Sequence, residues 1–147
     1  MNYERFSTAQ KGDFKGRTLG NIWSFSDAEV EYTHDFIQII FPLDKPSQAA
    51  FHGYYLDSED LVQKLSANEQ ARTNIIKSAQ WFLGFLGRNT YWNKGHDHNQ
   101  LRITRVIESL RLLVSDEEAD RFYVRVMELV SDENKINSTT LAFWEKA

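Results

Sequence analysis

His96-Asp97-His98-Asn99-Gln100-Leu101-Arg102-Ile103-Thr104-Arg105-Val106-Ile107-Glu108-Ser109-Leu110 is the stretch that decides the fold class. Its apolar residues Ile103, Val106, Ile107 and Leu110, with Val114 beyond, recur three and four positions apart, the spacing of one buried helical face. A helix from about Asp97 to Val114 then stacks His98, Arg102, Arg105 and Ser109 along a second stripe. Two guanidiniums and an imidazole held on an anchored helix form a candidate anion-gripping surface, because each guanidinium can donate two parallel hydrogen bonds.

The same period extends in both directions. Ser26-Asp27-Ala28-Glu29 has capping-box spacing and opens a helical segment carrying Val30, His34, Ile37 and Phe41, with Thr33 as a possible interruption that could cap a second short helix. Pro42 and Pro46 end it, so residues 41–53 are expected to be a connecting loop. A short helix is expected from Asp57 or Ser58 to about Ala67. A longer one begins near Ser66-Ala67-Asn68-Glu69, turns Ile75, Ile76, Ala79, Phe82, Leu83 and Leu86 inward, and takes Gly87 as a left-handed C-terminal cap. Residues 88–95 read as an aromatic turn. Ser115-Asp116-Glu117-Glu118 caps a further helix with Phe122, Val126, Leu129 and Val130 on its buried face, and a last one starts at Ser138. No segment alternates as strands do. The expected fold is an all-α, compact bundle of five to six helices with one longer Pro-containing loop. An irregular N-terminal arm over residues 1–20 precedes a domain over residues 21–147.

Composition narrows the function. The length suits one domain with a sizeable core, and ten Phe, six Tyr and four Trp supply the area to fill it. A net charge of −4 argues against a general nucleic-acid binder, though not against a site for one small anion. With no cysteine, disulfides, thiolate nucleophiles and thiolate zinc sites are excluded, and a reducing cytoplasm is compatible. The first residues lack the basic start and apolar run of a secretory leader. No apolar run nears the ~20 residues that a bilayer requires. A soluble cytoplasmic domain without a membrane span is therefore expected.

Tyr32-Thr33-His34-Asp35-Phe36-Ile37-Gln38-Ile39-Ile40-Phe41-Pro42 resembles the N-H-x-x-I-Q-x-x-F-P signature of the opioid growth factor receptor conserved-region family. His98 to Leu110 is similar to its H-N-x-L-R-I-T-R-I-L-x-S-L, Trp92 lies where the family tends to have Trp, and Phe82–Gly87 resembles its F-x-G helix end. The likeness spans roughly residues 21–130. Thr33 departs from the family's Asn before the histidine, and the long repeat-containing tail of the animal receptors has no counterpart, which describes a short single-domain member. The resemblance implies a soluble, nuclear-associated receptor module for an opioid peptide, methionine-enkephalin.

The candidate ligand-binding residues are His34, Gln38, Trp92, His98, Asn99, Arg102 and Arg105. Gln38 lies four residues after His34, so both could face one cleft; if that cleft is shared with the arginine stripe, polar groups converge as they do in ligand sites. The expected partner is a small ligand or peptide bearing an anionic group. Each residue also has a plainer reading: the arginines could pair with Glu108 or other acids of the chain, His34 could be a hydrogen-bonded core residue, and most of the tryptophans could be core. Trp92 and Tyr91, in a turn before the Arg-bearing helix, could instead roof a site. His96 and His98 have poor spacing for a metal, which His34 or His52 could complete only by tertiary placement. Neither a metal nor a cofactor is expected. No G-x-S-x-G elbow or phosphate-cradling loop is present, so a binding module leads. The alternatives are an enzyme acting on a phosphorylated or carboxylated metabolite with a His acid–base, and an interaction domain for an acidic partner.

Overall fold

The structure is a computed structural model that describes residues 1–47, 53–130 and 135–147. Among these residues it is all-α: α1 (Tyr3–Ser7), α2 (Leu19–Trp23), α3 (Asp27–Tyr32), α4 (Ile37–Ile40), α5 (Glu59–Ala67), α6 (Glu69–Arg88), a 3-10 turn (Thr90–Trp92), α7 (His98–Leu113), α8 (Asp116–Leu129) and α9 (Ser138–Lys146). His52 and part of the loop expected at residues 41–53 lie outside the described residues.

The helix with the two-stripe pattern is central. Helices α5, α6, α8 and α9 all pack on α7, and Ile103, Val106, Ile107, Leu110 and Leu113 are buried there. Caps expected from sequence are in place: Ser26 and Glu29 form a reciprocal capping box on α3, Ser58 caps α5 and Ser115 caps α8. Helix α6 takes its cap from Asn68.

Three short helices go beyond the expected set. The segment read as one helix from residue 26 divides into α3 and α4, with Thr33 extended between them at φ −98° and ψ 122°. Thr33 ends α3 and does not cap α4, whose N-cap position is Phe36. Residues 1–20, expected to be irregular, carry α1 and the start of α2, and place Tyr3 and Phe6 in the core. A tight turn follows α1. A Cβ on Gly12 would come within 2.6 Å of the Gly16 carbonyl group, and Gly16 itself has φ +78°. Periodicity does not register such a turn, which is why the arm looked unstructured.

Gly87 is also corrected. It lies inside α6, which runs on to Arg88, and a Cβ added there would meet Leu129 of α8 at an ordinary 3.9 Å. Side chains cover the terminal carbonyls in place of a glycine turn: Asn89 Nδ2 donates to Phe85 O at 3.0 Å and Trp92 Nε1 to Leu86 O at 2.9 Å.

Candidate functional site

Beyond His98, which is exposed, the stripe on α7 does not face open solvent. It faces residues 30–42, and it meets them in order. Arg102 Nη1 donates to Val30 O at 2.7 Å and Nη2 to Thr33 O at 2.8 Å. One turn on, Arg105 Nε donates to Phe41 O at 2.9 Å and Nη2 to Gln38 O at 3.4 Å. Ser109 Oγ then donates to Pro42 O at 2.9 Å.

The local reason is helix length. Helix α3 has six residues and α4 has four, so most of their C-terminal carbonyls lack an intrahelical partner. Helix α4 is buried throughout and α3 at Val30 and Glu31, and a buried carbonyl without a donor is costly. The arginines supply the donors, and their charge suits the negative end of each helix. The two motif segments are therefore in contact because one supplies carbonyls and the other supplies donors.

This arrangement redirects the anion reading of Arg102 and Arg105. Arg102 is only 7 % exposed, and its guanidinium packs over the Phe36 ring at 5.4 Å. No carboxylate of the described residues forms an ion pair with either arginine, and Glu108 instead pairs with Lys45 at 3.0 Å. Burial pushes both guanidiniums below their ordinary value, Arg105 to about 10, while Glu31 and Asp97 partly restore Arg102. Both stay charged at neutral pH. They fasten the chain's own backbone, and the grip expected on an external anion has been taken by carbonyls.

What remains accessible lies at the start of α7. The His34 and His98 rings meet edge to face, 5.7 Å between centroids, and both residues are exposed. His34 is thus not the core histidine of the plainer reading. Against His98 lies Glu31, a buried carboxylate. His98 Nε2 lies 2.6 Å from Glu31 Oε1, Asn99 Nδ2 donates to both carboxylate oxygens at 3.3 and 3.4 Å, and the Tyr91 hydroxyl donates to Oε2. Burial and the Glu31 carboxylate together push the Tyr91 hydroxyl well above its ordinary value of 10, so it is a neutral donor. Asp97 caps α7 by accepting from Asn99 N at 2.9 Å, which sets one of the chain's own carboxylates at the helix start.

The seven candidate residues therefore separate. His98 and Asn99 come together on Glu31, and His34 joins them through its ring contact with His98. Arg102 touches the cluster through Asn99 Oδ1 at 3.3 Å. Gln38 is buried behind the clamp, its Oε1 without a partner among the described residues. Trp92 is fully buried and caps α6, so it does not roof a site. Tyr91, its neighbour, is the aromatic at the surface. Glu31 was not singled out in the sequence; its only signal is its place three residues before His34, within a segment that reads as one helix and is not. Among the described residues no three His, Asp or Glu side chains are arranged to hold a metal. His96 lines a separate open depression of about 630 Å³ with Gly95, Lys135 and Ser138. No helix of the described residues is long and apolar enough to cross a membrane.

Comparison with known proteins points the same way as the motifs. The chain is 29 % identical to mouse (Mus musculus) opioid growth factor receptor across 106 residues, covering 60 % of this chain and 16 % of the receptor. It is 28 % identical to the rat (Rattus norvegicus) opioid growth factor receptor across 106 residues, covering 60 % of this chain and 18 % of the receptor. This is a distant relationship, and the chain spans less than a fifth of the length of those receptors. No protein-family model and no solved structure matches.

Proposed function

We propose that this chain is an opioid growth factor receptor-like binding module, and that its ligand, a small molecule or short peptide, is met at the exposed His34–His98 pair. One observation carries the reading. The two segments that resemble the receptor family bring their histidines ring to ring at the surface, over a carboxylate that holds one of them in a set orientation. A polar cluster fixed from below and open above is what a binding surface requires, because little ordering is lost when the ligand arrives. The arginines support the surface from behind by holding residues 30–42 against α7.

Protein-observed NMR with a library of short peptides and fragments, methionine-enkephalin included, tests this. Perturbed resonances should gather at His34, His98 and Tyr91, and vanish in His34→Ala, whose exposed ring can be removed without opening the core. Perturbations gathering elsewhere, or a His34→Ala variant that responds like the parent, overturn the assignment.

One observation favours a second reading, acid–base catalysis on a phosphorylated or carboxylated metabolite. A carboxylate 2.6 Å from an imidazole orients the ring, as an acid–base residue requires. That reading requires turnover that dies with His98→Gln. A binding module requires none.

A further inference from the structure

We propose that Arg17, in the arm that precedes both receptor-like motifs, is a positioning residue for the binding surface and keeps His34 against His98. The inference rests on the binding reading above, since it concerns how one ring of that surface is held in place. His34 lies in the break between α3 and α4. Among the described residues it makes no hydrogen bond of its own, and its ring contact is with His98. Its neighbours therefore set its position. Before it, Arg102 Nη2 donates to Thr33 O at 2.8 Å. After it, Arg17 holds Asp35 at two points, Nη1 on the carboxylate at 2.7 Å and Nη2 on the backbone carbonyl at 3.2 Å. A guanidinium on each side thus fixes the chain next to the imidazole, and the planar fork gives both grips a direction.

The arm is shaped to aim the Arg17 fork. Asp13, whose side chain is fully buried, accepts from Lys15 N at 2.9 Å, Arg17 N at 3.0 Å and Arg17 Nε at 2.9 Å. Asp13 N donates back to Arg17 O at 2.8 Å and closes the turn. Gly16 supplies its left-handed residue, at φ +78°. One carboxylate therefore fixes the Arg17 backbone and the near edge of its side chain, while Nη1 and Nη2 reach residue 35. Lys15 Nζ also meets the Asp35 carboxylate, at 2.5 Å, but its side chain is more than half exposed and makes no bond to the Asp35 backbone. A ring that is already held loses little freedom when a ligand arrives, so the arm contributes to binding without touching the ligand.

The test reads the His34–His98 contact itself, as a cross-ring nuclear Overhauser effect in isotope-labelled protein, and needs no ligand. The parent should show the effect. Arg17→Gln removes both grips on Asp35 and should lose it while the amide spectrum stays dispersed. Arg17→Lys keeps the charge between Asp13 and Asp35 but gives up the fork, so it should weaken the effect, and it decides the matter alone where Arg17→Gln does not fold. Arg88→Gln removes a different ion pair, the 3.0 Å contact with Asp27 at the start of α3, and should leave the effect whole. An undiminished effect in either Arg17 variant overturns the positioning role and leaves the binding surface standing. Equal loss in Arg88→Gln overturns it as well, because the contact would then report general loosening. Absence of the effect in the parent removes the histidine pair, and both readings with it.

Discussion

Arg102 and Arg105 show how far a side chain's role depends on what it faces. Each is a cation held against two backbone carbonyls, and hydrogen bonds to charged groups are worth ~1.5–3 kcal/mol each. Replacing either with Met removes the charge and also strands two carbonyls in a buried segment. Arg102→Met and Arg105→Met should each lose about 2–4 kcal/mol in urea unfolding, with Tm falling roughly 2–4 °C for every kcal/mol. Arg102→Lys should recover only part of this, because a point charge cannot serve two carbonyls in a fixed fork. Unaltered stability in the Met variants would show that the carbonyls find water instead. The stripe that contains these residues was legible from spacing alone. Its direction was not, since spacing orders residues around an axis and is silent about which neighbouring segment they meet.

Between elements, the decisive feature is that α3 and α4 are too short to satisfy their own ends, so other parts of the chain hold them. Asp35, in the break between them, accepts from Arg17 Nη1 at 2.7 Å and meets Lys15 Nζ at 2.5 Å. Arg17 is in turn held by Asp13 through Nε at 2.9 Å. Burial pushes the Asp35 carboxyl up, but Lys15 and Arg17 more than offset this and leave it below its ordinary 3.8. A carboxyl lowered on folding contributes stability that is present above its unfolded value and lost as pH falls through the folded one. The parent should therefore lose stability steeply below about pH 4. Asp35→Asn should be less stable at neutral pH and show a shallower acid limb when unfolding is followed by circular dichroism. An identical acid limb would mean that this carboxylate does not couple the arm to the break. The sequence marked Thr33 as a possible interruption, and the capping box at Ser26 was read correctly. The partners of Asp35 were hidden, because residues 13–17 and 35 are joined by charge and not by any repeating pattern.

For the whole molecule, the segment that looked least structured closes the core. Phe6 is fully buried, and α1 packs on α5 and α6. Removing such a ring costs about 3–5 kcal/mol, a large part of the ~5–15 kcal/mol that holds a domain together. Phe6→Ala should lower the unfolding midpoint as a single transition, with tryptophan fluorescence and circular dichroism coinciding. A separate early transition would mean that the arm is an independent appendage, as its composition suggested.

Taken by itself, the amino-acid order determined the all-α class, the caps of α3, α5 and α8, the buried face of α7 and the likeness of two motifs to those of a receptor family. These are properties of nearest neighbours along a helix, where a spacing of three or four residues is already a distance in space. Only the tertiary structure decided that the arginines hold carbonyls, that Trp92 closes a helix end, that His34 meets His98, and that His98 meets Glu31. Those outcomes depend on which unsatisfied donors and acceptors of remote segments are buried together, and no local period encodes that pairing.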